Sequence, residues 1–277
     1  MASPLVTVDW LNQNLNNPNL VIIDATMRKI TWEKNEFKNS NLQIIGTRFF
    51  DIKNTFSDTS SPFPNMMLSP DKFQEQAQKI GINKESKIVV YDTIGIYTSP
   101  RVWWMFKSMG HHNIAVLDGG FPEWNKRNFP KENTSKYKGD LGNFIADFNQ
   151  NYFCDYKAVL NSISDKKKTI IDARSEDRFD GVKEEPRKGL RSGHIPNSRN
   201  LHYNDLLVEG NMKSKEELIE IFNPIIAGGS SATFSCGSGI TACILALGAE
   251  ITGRKNNTVY DGSWTEWGSL HELPIEN

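Results

Sequence analysis

The chain repeats its own sequence, and this repeat constrains the fold more than any other feature. Three short segments of the first half recur in the second half in the same order. The matched pairs are residues 21–25 with 169–173, residues 87–92 with 231–236, and residues 117–124 with 260–267. The spacing between partners drifts by only a few residues, which indicates a duplicated domain. We therefore predict similar domains at residues 1–130 and 151–277, joined by a polar, glycine-containing linker at residues 131–150.

Each half alternates short β-rich runs with helical patterns, which predicts an α/β fold of parallel strands joined by helical crossovers. In the first half, residues 88–91 are the predicted strand, and a helix capped by Ser99 ends at Gly110. In the second half, residues 232–235 are the predicted strand and residues 241–252 the helix. That second helix is apolar on nearly every face, so we expect it to be buried in the core.

The composition excludes several classes of protein. Hydrophobic residues make up 38% of the 277 residues, which is enough for a sizeable core. The formal net charge is −1 and no basic stripe is present, so we expect no nucleic-acid partner. Three cysteines without a CxxC pair argue against a disulfide framework or a structural zinc site. No signal peptide or membrane-spanning run is found, so we expect a cytoplasmic protein without membrane contact.

A glycine-rich loop that starts with a cysteine lies between the second predicted strand and the apolar helix. Its sequence is Cys236-Gly237-Ser238-Gly239-Ile240-Thr241. Ligands of open α/β sheets bind beyond the carboxyl ends of the strands, where this loop falls. Backbone N–H groups of a tight loop, together with a helix N-terminus, favour a thiolate and would equally hold a persulfide anion. We therefore predict that Cys236 is a nucleophile and that Cys154 and Cys243 are structural.

The sequence of the loop also argues against a cysteine phosphatase and against a catalytic site in the first half. A cysteine phosphatase needs the pattern Cys-x5-Arg, and the arginine position is Ala242, so a phosphatase is disfavoured. In the first half, Asp92 takes the place equivalent to Cys236. A carboxylate cannot act as a sulfur nucleophile, so we predict that the first half is non-catalytic and that Asp92 is a structural or interface residue.

Taken together, these motifs resemble the tandem-domain rhodanese family of sulfurtransferases, and within it the branch that uses 3-mercaptopyruvate. The resemblance covers essentially the whole chain and includes the segments RVWWMF at residues 101–106 and SGHIP at residues 192–196. It implies two rhodanese-like domains, each a mainly parallel sheet flanked by helices, with only the second catalytic. Thiosulfate-preferring members carry basic side chains just after the cysteine, where this chain has Gly237 and Ser238.

The resemblance also implies which residues form the site. Two arginines of the family bind the carboxylate and carbonyl of the substrate, and they match Arg178 and Arg187. A guanidinium suits this task because its planar fork grips a carboxylate through paired hydrogen bonds. Ser238 is expected to act in catalysis beside Cys236. The other loop residues expected to surround the substrate are Gly237, Gly239, Ile240 and Thr241.

One position departs from the family pattern. Mercaptopyruvate enzymes carry a histidine that is linked to an upstream aspartate and to the loop serine. Here Asp51 matches the aspartate, but the histidine position is Asn65. Because an amide does not exchange a proton near neutral pH, no Asp–His–Ser relay is expected. Asn65 and Asp51 are predicted to support the site, Asn65 by a hydrogen bond to Ser238.

The predicted activity moves sulfane sulfur from 3-mercaptopyruvate through a persulfide on Cys236, with release of pyruvate. The expected partners are a small-molecule sulfur donor and a thiol, thioredoxin-like or cyanide acceptor, and neither a cofactor nor a metal is expected. Two alternatives stay open. One is a thiosulfate sulfurtransferase, which the relative kcat/KM for thiosulfate and 3-mercaptopyruvate would distinguish from the predicted enzyme. The other is a non-catalytic persulfide carrier or redox sensor, which turnover of mercaptopyruvate would exclude.

Overall fold

The computed structural model describes residues 1, 3–31, 41–226 and 230–277. The chain divides into two compact units, and each unit includes a short segment from the other half of the sequence. The first unit comprises Met1–Asp58, Met67–Asn149 and Glu209–Met212, and the second comprises Thr59–Met66, Gln150–Val208 and Lys213–Asn277. Among the described residues, no helix is both long enough and apolar enough to cross a membrane.

A five-stranded parallel sheet is the centre of the first unit. The described elements of the first half are β1 (Leu5–Val6), α1 (Val8–Asn14), β2 (Leu20–Asp24), β3 (Leu42–Ile44), β4 (Thr47–Phe49), α2 (Pro70–Lys79), β5 (Lys87–Tyr91), α3 (Ser99–Ser108), β6 (Ile114–Leu117), α4 (Gly120–Lys126) and β7 (Lys131–Asn133). The sheet order is β1-β6-β5-β2-β4. Asp24 pairs with Tyr91, so the residue after β5, Asp92, lies at the carboxyl edge of the sheet.

The second half repeats this arrangement. Its described elements are β8 (Phe153–Cys154), α5 (Tyr156–Ser162), β9 (Lys168–Asp172), α6 (Glu176–Phe179), β10 (Arg199–Asn200), β11 (Leu207–Val208), β12 (Asn211–Met212), α7 (Lys215–Phe222), β13 (Ser231–Ser235), α8 (Ala242–Ile251), β14 (Asn257–Tyr260) and α9 (Ser263–Trp267). The parallel sheet has the equivalent order β8-β14-β13-β9-β10. Asp172 pairs with Ser235, just as Asp24 pairs with Tyr91. The predicted α/β fold with two similar parallel sheets is confirmed.

The repeated Glu-Trp motif anchors the last helix of each half. Trp124 in α4 and Trp267 in α9 are both completely buried in their cores. Each indole N–H donates to a proline carbonyl, that of Pro130 at 3.0 Å and that of Pro274 at 2.8 Å. A buried indole needs such a partner, which explains why the motif and its proline recur together.

Helix boundaries differ from the prediction by one or two residues. The N-cap of α3 is Thr98, and Ser99 is the first helical residue. The Ser99 hydroxyl donates to the carboxylate of Asp92 at 2.7 Å, so it does not cap the helix. Helix α8 spans Ala242–Ile251, and its buried residues run from Ala242 to Ala249, as expected for a core helix.

The segment 131–149 differs from the predicted separate linker, because it lies within the first unit. Its first residues form β7, which pairs antiparallel with β3. Further along, Phe144 is 1% exposed and its N–H donates to the carbonyl of Ile82 at 3.0 Å. The polar composition of the segment reflects its exposed side chains, whereas its backbone forms hydrogen bonds with the rest of the first unit.

The segments exchanged between the units are equivalent in the repeat. Asn65-Met66 precedes the N-cap Ser69 of α2, and Asn211-Met212 precedes the N-cap Ser214 of α7. In the second unit, the amide of Asn65 contacts Ser238. In the first unit, the N–H of Met212 donates to the carboxylate of Asp118 at 2.9 Å. Both halves therefore place the same segment in the partner unit.

Equivalent aspartates at the ends of β2 and β9 are expected to affect stability in opposite directions. Burial raises the pKa of Asp24 to about 6, despite hydrogen bonds from the backbone and hydroxyl of Thr26. Asp172 is instead paired with the guanidinium of Arg174 at 2.7 Å. The folded-state pKa of Asp24 lies above its ordinary value of 3.8. Burial of the ionised carboxylate therefore costs no stability below pH 3.8, where the group is protonated in the folded and unfolded states, and the full cost applies above about pH 6.

We therefore expect Asp24→Asn to raise the free energy of unfolding by about 1–3 kcal/mol at pH 8, with little effect near pH 4. Asp172→Asn is the matched control, and it should lower the stability at pH 8 because it removes one of the two carboxylates that pair with the buried guanidinium of Arg174. Urea unfolding at the two pH values measures both changes. A loss of stability in both variants would contradict the assignment for Asp24.

Candidate active site

Cys236 directly follows β13 and is 2% exposed. Its loop is fixed by α9, where the N–H groups of Trp264 and Thr265 donate to the carbonyls of Cys236 and Gly237, both at 2.9 Å. From α8, the thiol of Cys243 donates to the carbonyl of Gly239 at 3.3 Å. Cys236 is therefore held by hydrogen bonds in a strand-to-helix turn at the carboxyl edge of the sheet, where the sequence predicts the cysteine loop.

The equivalent loop of the first unit shows how such a turn binds a carboxyl group. One carboxylate oxygen of Asp92 accepts hydrogen bonds from the backbone N–H groups of Tyr97, Thr98 and Ser99, each at 2.9 Å. Asp92 is completely buried, so these donors and the start of α3 replace its lost hydration. The carboxylate of Asp92 therefore fills the backbone turn that precedes α3.

The corresponding donors in the second unit are the N–H groups at the start of α8. When the first residues of α3 and α8 are aligned, Ile240, Thr241 and Ala242 take the positions of the three residues whose N–H groups bind Asp92. These three N–H groups make no hydrogen bond within the described part of the chain. The Ile240 side chain itself is 4% exposed, so its contribution to the site is its backbone.

Both predicted arginines lie against the cysteine loop. Arg178 is in α6, and Arg187 lies in the irregular segment that follows. A Cβ atom added to Gly237 would lie 3.3 Å from Nη2 of Arg178 and 4.0 Å from Nη1 of Arg187. Nη2 of Arg187 also donates to the hydroxyl of Ser238 at 3.3 Å. Glycine at position 237 therefore leaves space for two guanidiniums beside Cys236.

A buried charge network holds Arg178, and sequence reasoning missed it. Glu185 accepts hydrogen bonds from Nε of Arg178 at 3.0 Å and from Nη2 at 2.6 Å. The same carboxylate accepts from Arg174 at 2.9 Å, and Arg174 also pairs with Asp172. These four side chains alternate in sign, so their charges balance where water cannot screen them.

Only an Asp-x-Arg pattern after β9 marks this network in the sequence. Arg174, which lacks the family motif, is 2% exposed and structural rather than a surface charge. Arg191, which also lacks it, donates to the carbonyls of Trp267, Gly268, Leu270 and Leu273. Its role is likewise structural, since it fixes the chain that follows α9.

Asn65 is brought to the loop as the sequence predicts. Its Nδ2 donates to the hydroxyl of Ser238 at 3.0 Å and to the Ser238 carbonyl at 3.3 Å. Asn65 is 7% exposed and has a left-handed backbone with φ of +63°. Asp51 belongs to the first unit, where its carboxylate accepts hydrogen bonds from the backbone and side-chain amides of Asn54.

The chain is similar to known sulfurtransferases over nearly its whole length. A family model for the rhodanese-like domain matches residues 7–127 and 155–270. A 3-mercaptopyruvate sulfurtransferase of Escherichia coli is 34% identical over 281 residues, which cover 98% of this chain and 97% of that protein. A mitochondrial thiosulfate/3-mercaptopyruvate sulfurtransferase of Arabidopsis thaliana is 35% identical over 305 residues, which cover 100% of this chain and 79% of the relative.

Solved structures show the same likeness. A crystal structure of a 3-mercaptopyruvate sulfotransferase from Escherichia coli superimposes with a TM-score of 0.84 at 31% identity, covering 95% of this chain and 99% of that one. Its resemblance extends over both halves, as does the family model. The chain therefore belongs to the rhodanese family, with one rhodanese-like domain in each half.

Proposed function

We propose that this sulfurtransferase moves sulfane sulfur from 3-mercaptopyruvate to a thiol, a thioredoxin-like protein or cyanide through a persulfide on Cys236. The observation that carries the proposal is the placement of two guanidiniums against Gly237, the residue next to the thiol. A 2-oxo acid carries a carboxylate and an adjacent carbonyl, and both accept hydrogen bonds from such donors. Arg178 and Arg187 would hold these groups while the sulfur of the substrate faces Cys236.

In the first half-reaction, the Cys236 thiolate attacks the sulfur of 3-mercaptopyruvate. A sulfur–sulfur bond forms and the carbon–sulfur bond breaks, so that the electron pair passes to carbon as the enolate of pyruvate. The guanidiniums stabilise the negative charge that grows on the 2-oxo oxygen, and the enolate then takes a proton. In the second half-reaction, an acceptor thiolate attacks the outer sulfur, and Cys236 leaves as a thiolate.

The first unit supports the proposed persulfide. One carboxylate oxygen of Asp92 accepts hydrogen bonds from three backbone N–H groups, each at 2.9 Å. The equivalent groups of Ile240, Thr241 and Ala242 would hold the outer sulfur of Cys236–S–S⁻ in the same way. An anion placed there also meets the N-terminal end of α8, whose dipole favours negative charge.

Proton transfer departs from the family pattern, because Asn65 takes the histidine position. The Ser238 hydroxyl accepts hydrogen bonds from Asn65 and Arg187, which leaves its own hydrogen for another acceptor. We propose that this acceptor is the 2-oxo oxygen of the substrate, so that Ser238 binds the enolate without changing its protonation state. Water would then supply the proton to carbon.

This arrangement predicts how Asn65→His changes the enzyme. The wild-type kcat with 3-mercaptopyruvate should show no inflection near the ordinary histidine pKa of about 6.5. The variant places an imidazole beside Ser238 and should introduce that inflection. If protonation limits the rate, the variant should also raise kcat, by less than the roughly 100-fold of an evolved general acid.

The pH–rate profiles of both proteins measure this, with His194→Asn as the control for His194, one of the three histidines of the second unit. A wild-type inflection near pH 6.5 that persists in His194→Asn would show that another group already performs the transfer. An unchanged rate in Asn65→His would mean that protonation is not limiting.

Thiosulfate is the second candidate donor, because the Arabidopsis relative carries both donors in its name. Against it, the loop presents Gly237 and Ser238 rather than basic side chains. Relative kcat/KM for the two donors, each measured with dithiothreitol and with thioredoxin, tests the proposal. A higher value for 3-mercaptopyruvate supports it, and a higher value for thiosulfate or no turnover at all would overturn it.

A further inference from the structure

Ser263 has an unusual backbone next to the cysteine loop. It is completely buried and has a φ of +50°, in the left-handed region that residues with a side chain rarely adopt. Such a conformation costs free energy and persists where the surrounding structure imposes it. Ser263 follows Gly262, and it is the first residue of α9.

The first half shows which residue fits this turn without strain. Its equivalent position is Gly120, with a φ of +54°. A Cβ atom there would lie 2.3 Å from the carbonyl oxygen of Gly95 and 2.5 Å from that of Asp92. Glycine is therefore required in the first half, whereas the second half accepts a serine at the same left-handed turn.

The hydroxyl of Ser263 makes the contacts that glycine cannot. It accepts the N–H of Cys236 at 3.1 Å and that of Gly239 at 3.2 Å, so it joins the two ends of the cysteine turn. Its hydrogen is donated to the carbonyl of Tyr260 at 2.8 Å. The sulfur of Cys236 lies 4.0 Å from the same oxygen, so it is a second acceptor within reach.

We propose that Ser263 is a positioning residue: it closes the loop of Cys236, and its hydroxyl hydrogen turns from Tyr260 to the sulfur when the thiolate forms. A thiolate is a stronger acceptor than a thiol, because hydrogen bonds to charged groups exceed those to neutral ones. The role deepens the proposed sulfur transfer, but the hydrogen bond to the thiolate is independent of which donor is used.

Other groups around the cysteine loop also affect the ionisation of the Cys236 thiol. In the second unit they are Arg178, Arg187, Glu185, Cys243, Tyr260 and Glu266. None of these residues is itself substituted when Ser263 is changed, so we attribute a difference between the variants to the loss of the hydroxyl. Burial raises the pKa of Glu266, so the comparison is repeated in a Glu266→Gln background.

The test is the alkylation rate of Cys236 by iodoacetamide as a function of pH, with the modified peptide identified by mass spectrometry. Ser263→Gly and Ser263→Ala should each raise the pH of half-maximal rate by about one unit, and slow alkylation at lower pH about tenfold. Ser162→Ala removes another buried serine, whose hydroxyl donates to Ala158, and should leave the profile unchanged.

Urea unfolding of the same variants distinguishes a positioning role of Ser263 from an effect on folding. Ser263→Gly relieves the left-handed strain and should unfold at a higher urea concentration than Ser263→Ala, although both lose the hydroxyl. The proposal is overturned if both folded variants keep the wild-type alkylation profile. If the profile shifts as expected while the wild type fails to turn over 3-mercaptopyruvate, the proposed function fails and the role of Ser263 stands.

Discussion

Replacing Cys236 by alanine is expected to lower sulfur transfer from 3-mercaptopyruvate at least about a thousandfold, because the persulfide has no other carrier. Cys154 and Cys243 are placed differently. Burial, with the charge of Asp155, raises the pKa of Cys154 to about 12, so this thiol stays protonated at neutral pH. Cys243 lies inside α8 and is completely buried.

The variants Cys154→Ala and Cys243→Ala are the matched controls, and both should retain transfer, with any loss arising from stability. Mass spectrometry after addition of the donor without an acceptor should find one extra sulfur on the peptide that contains Cys236. An extra sulfur on either of the other cysteine peptides would show that the nucleophile is assigned to the wrong residue.

Arg187→Ala and Arg178→Ala are each expected to reduce kcat/KM for 3-mercaptopyruvate about 10- to 150-fold, the equivalent of about 1.5–3 kcal/mol for a charge-assisted hydrogen bond. The loss for thiosulfate should be much smaller, since that donor lacks the adjacent carboxylate and carbonyl. The ratio of kcat/KM for the two donors measures the difference.

Lys183→Ala is a suitable control, because it removes an exposed positive charge near α6, where Lys183 lies 3.6 Å from Asp177. It should leave the donor ratio unchanged. Equal losses for both donors in the arginine variants would mean that Arg178 and Arg187 act through folding or general electrostatics rather than by gripping the 2-oxo acid.

Glu185 illustrates a contact at the candidate site that no local pattern reveals. The sequence shows a glutamate two residues before Arg187, yet the structure places its carboxylate between Arg174 and Arg178, with distances of 2.6 to 3.0 Å. Whether an acidic side chain binds a neighbouring cation or points to solvent depends on packing around it. The resemblance to the family suggested Arg178 as a site residue but gave no reason to select Glu185 as its partner.

The sequence by itself determined the duplicated architecture, the position of Cys236 after a strand and the presence of Asp92 at the equivalent position of the first half. These features are encoded by short segments, because strand, glycine-rich loop and helix follow each other within a few residues. Local order is enough to put the cysteine at the carboxyl edge of a parallel sheet. The contact between Asn65 and Ser238 was also expected, although from the family pattern and not from the residues alone.

Only the tertiary structure decided what surrounds that loop. It placed Asn65 in the second unit and Asn211 in the first, and it turned Ser263 toward Cys236 from a later helix. The physical reason is that burial and hydrogen bonding depend on residues far apart in the chain, 173 positions for Asn65 and Ser238, and no local pattern of sequence records such distances.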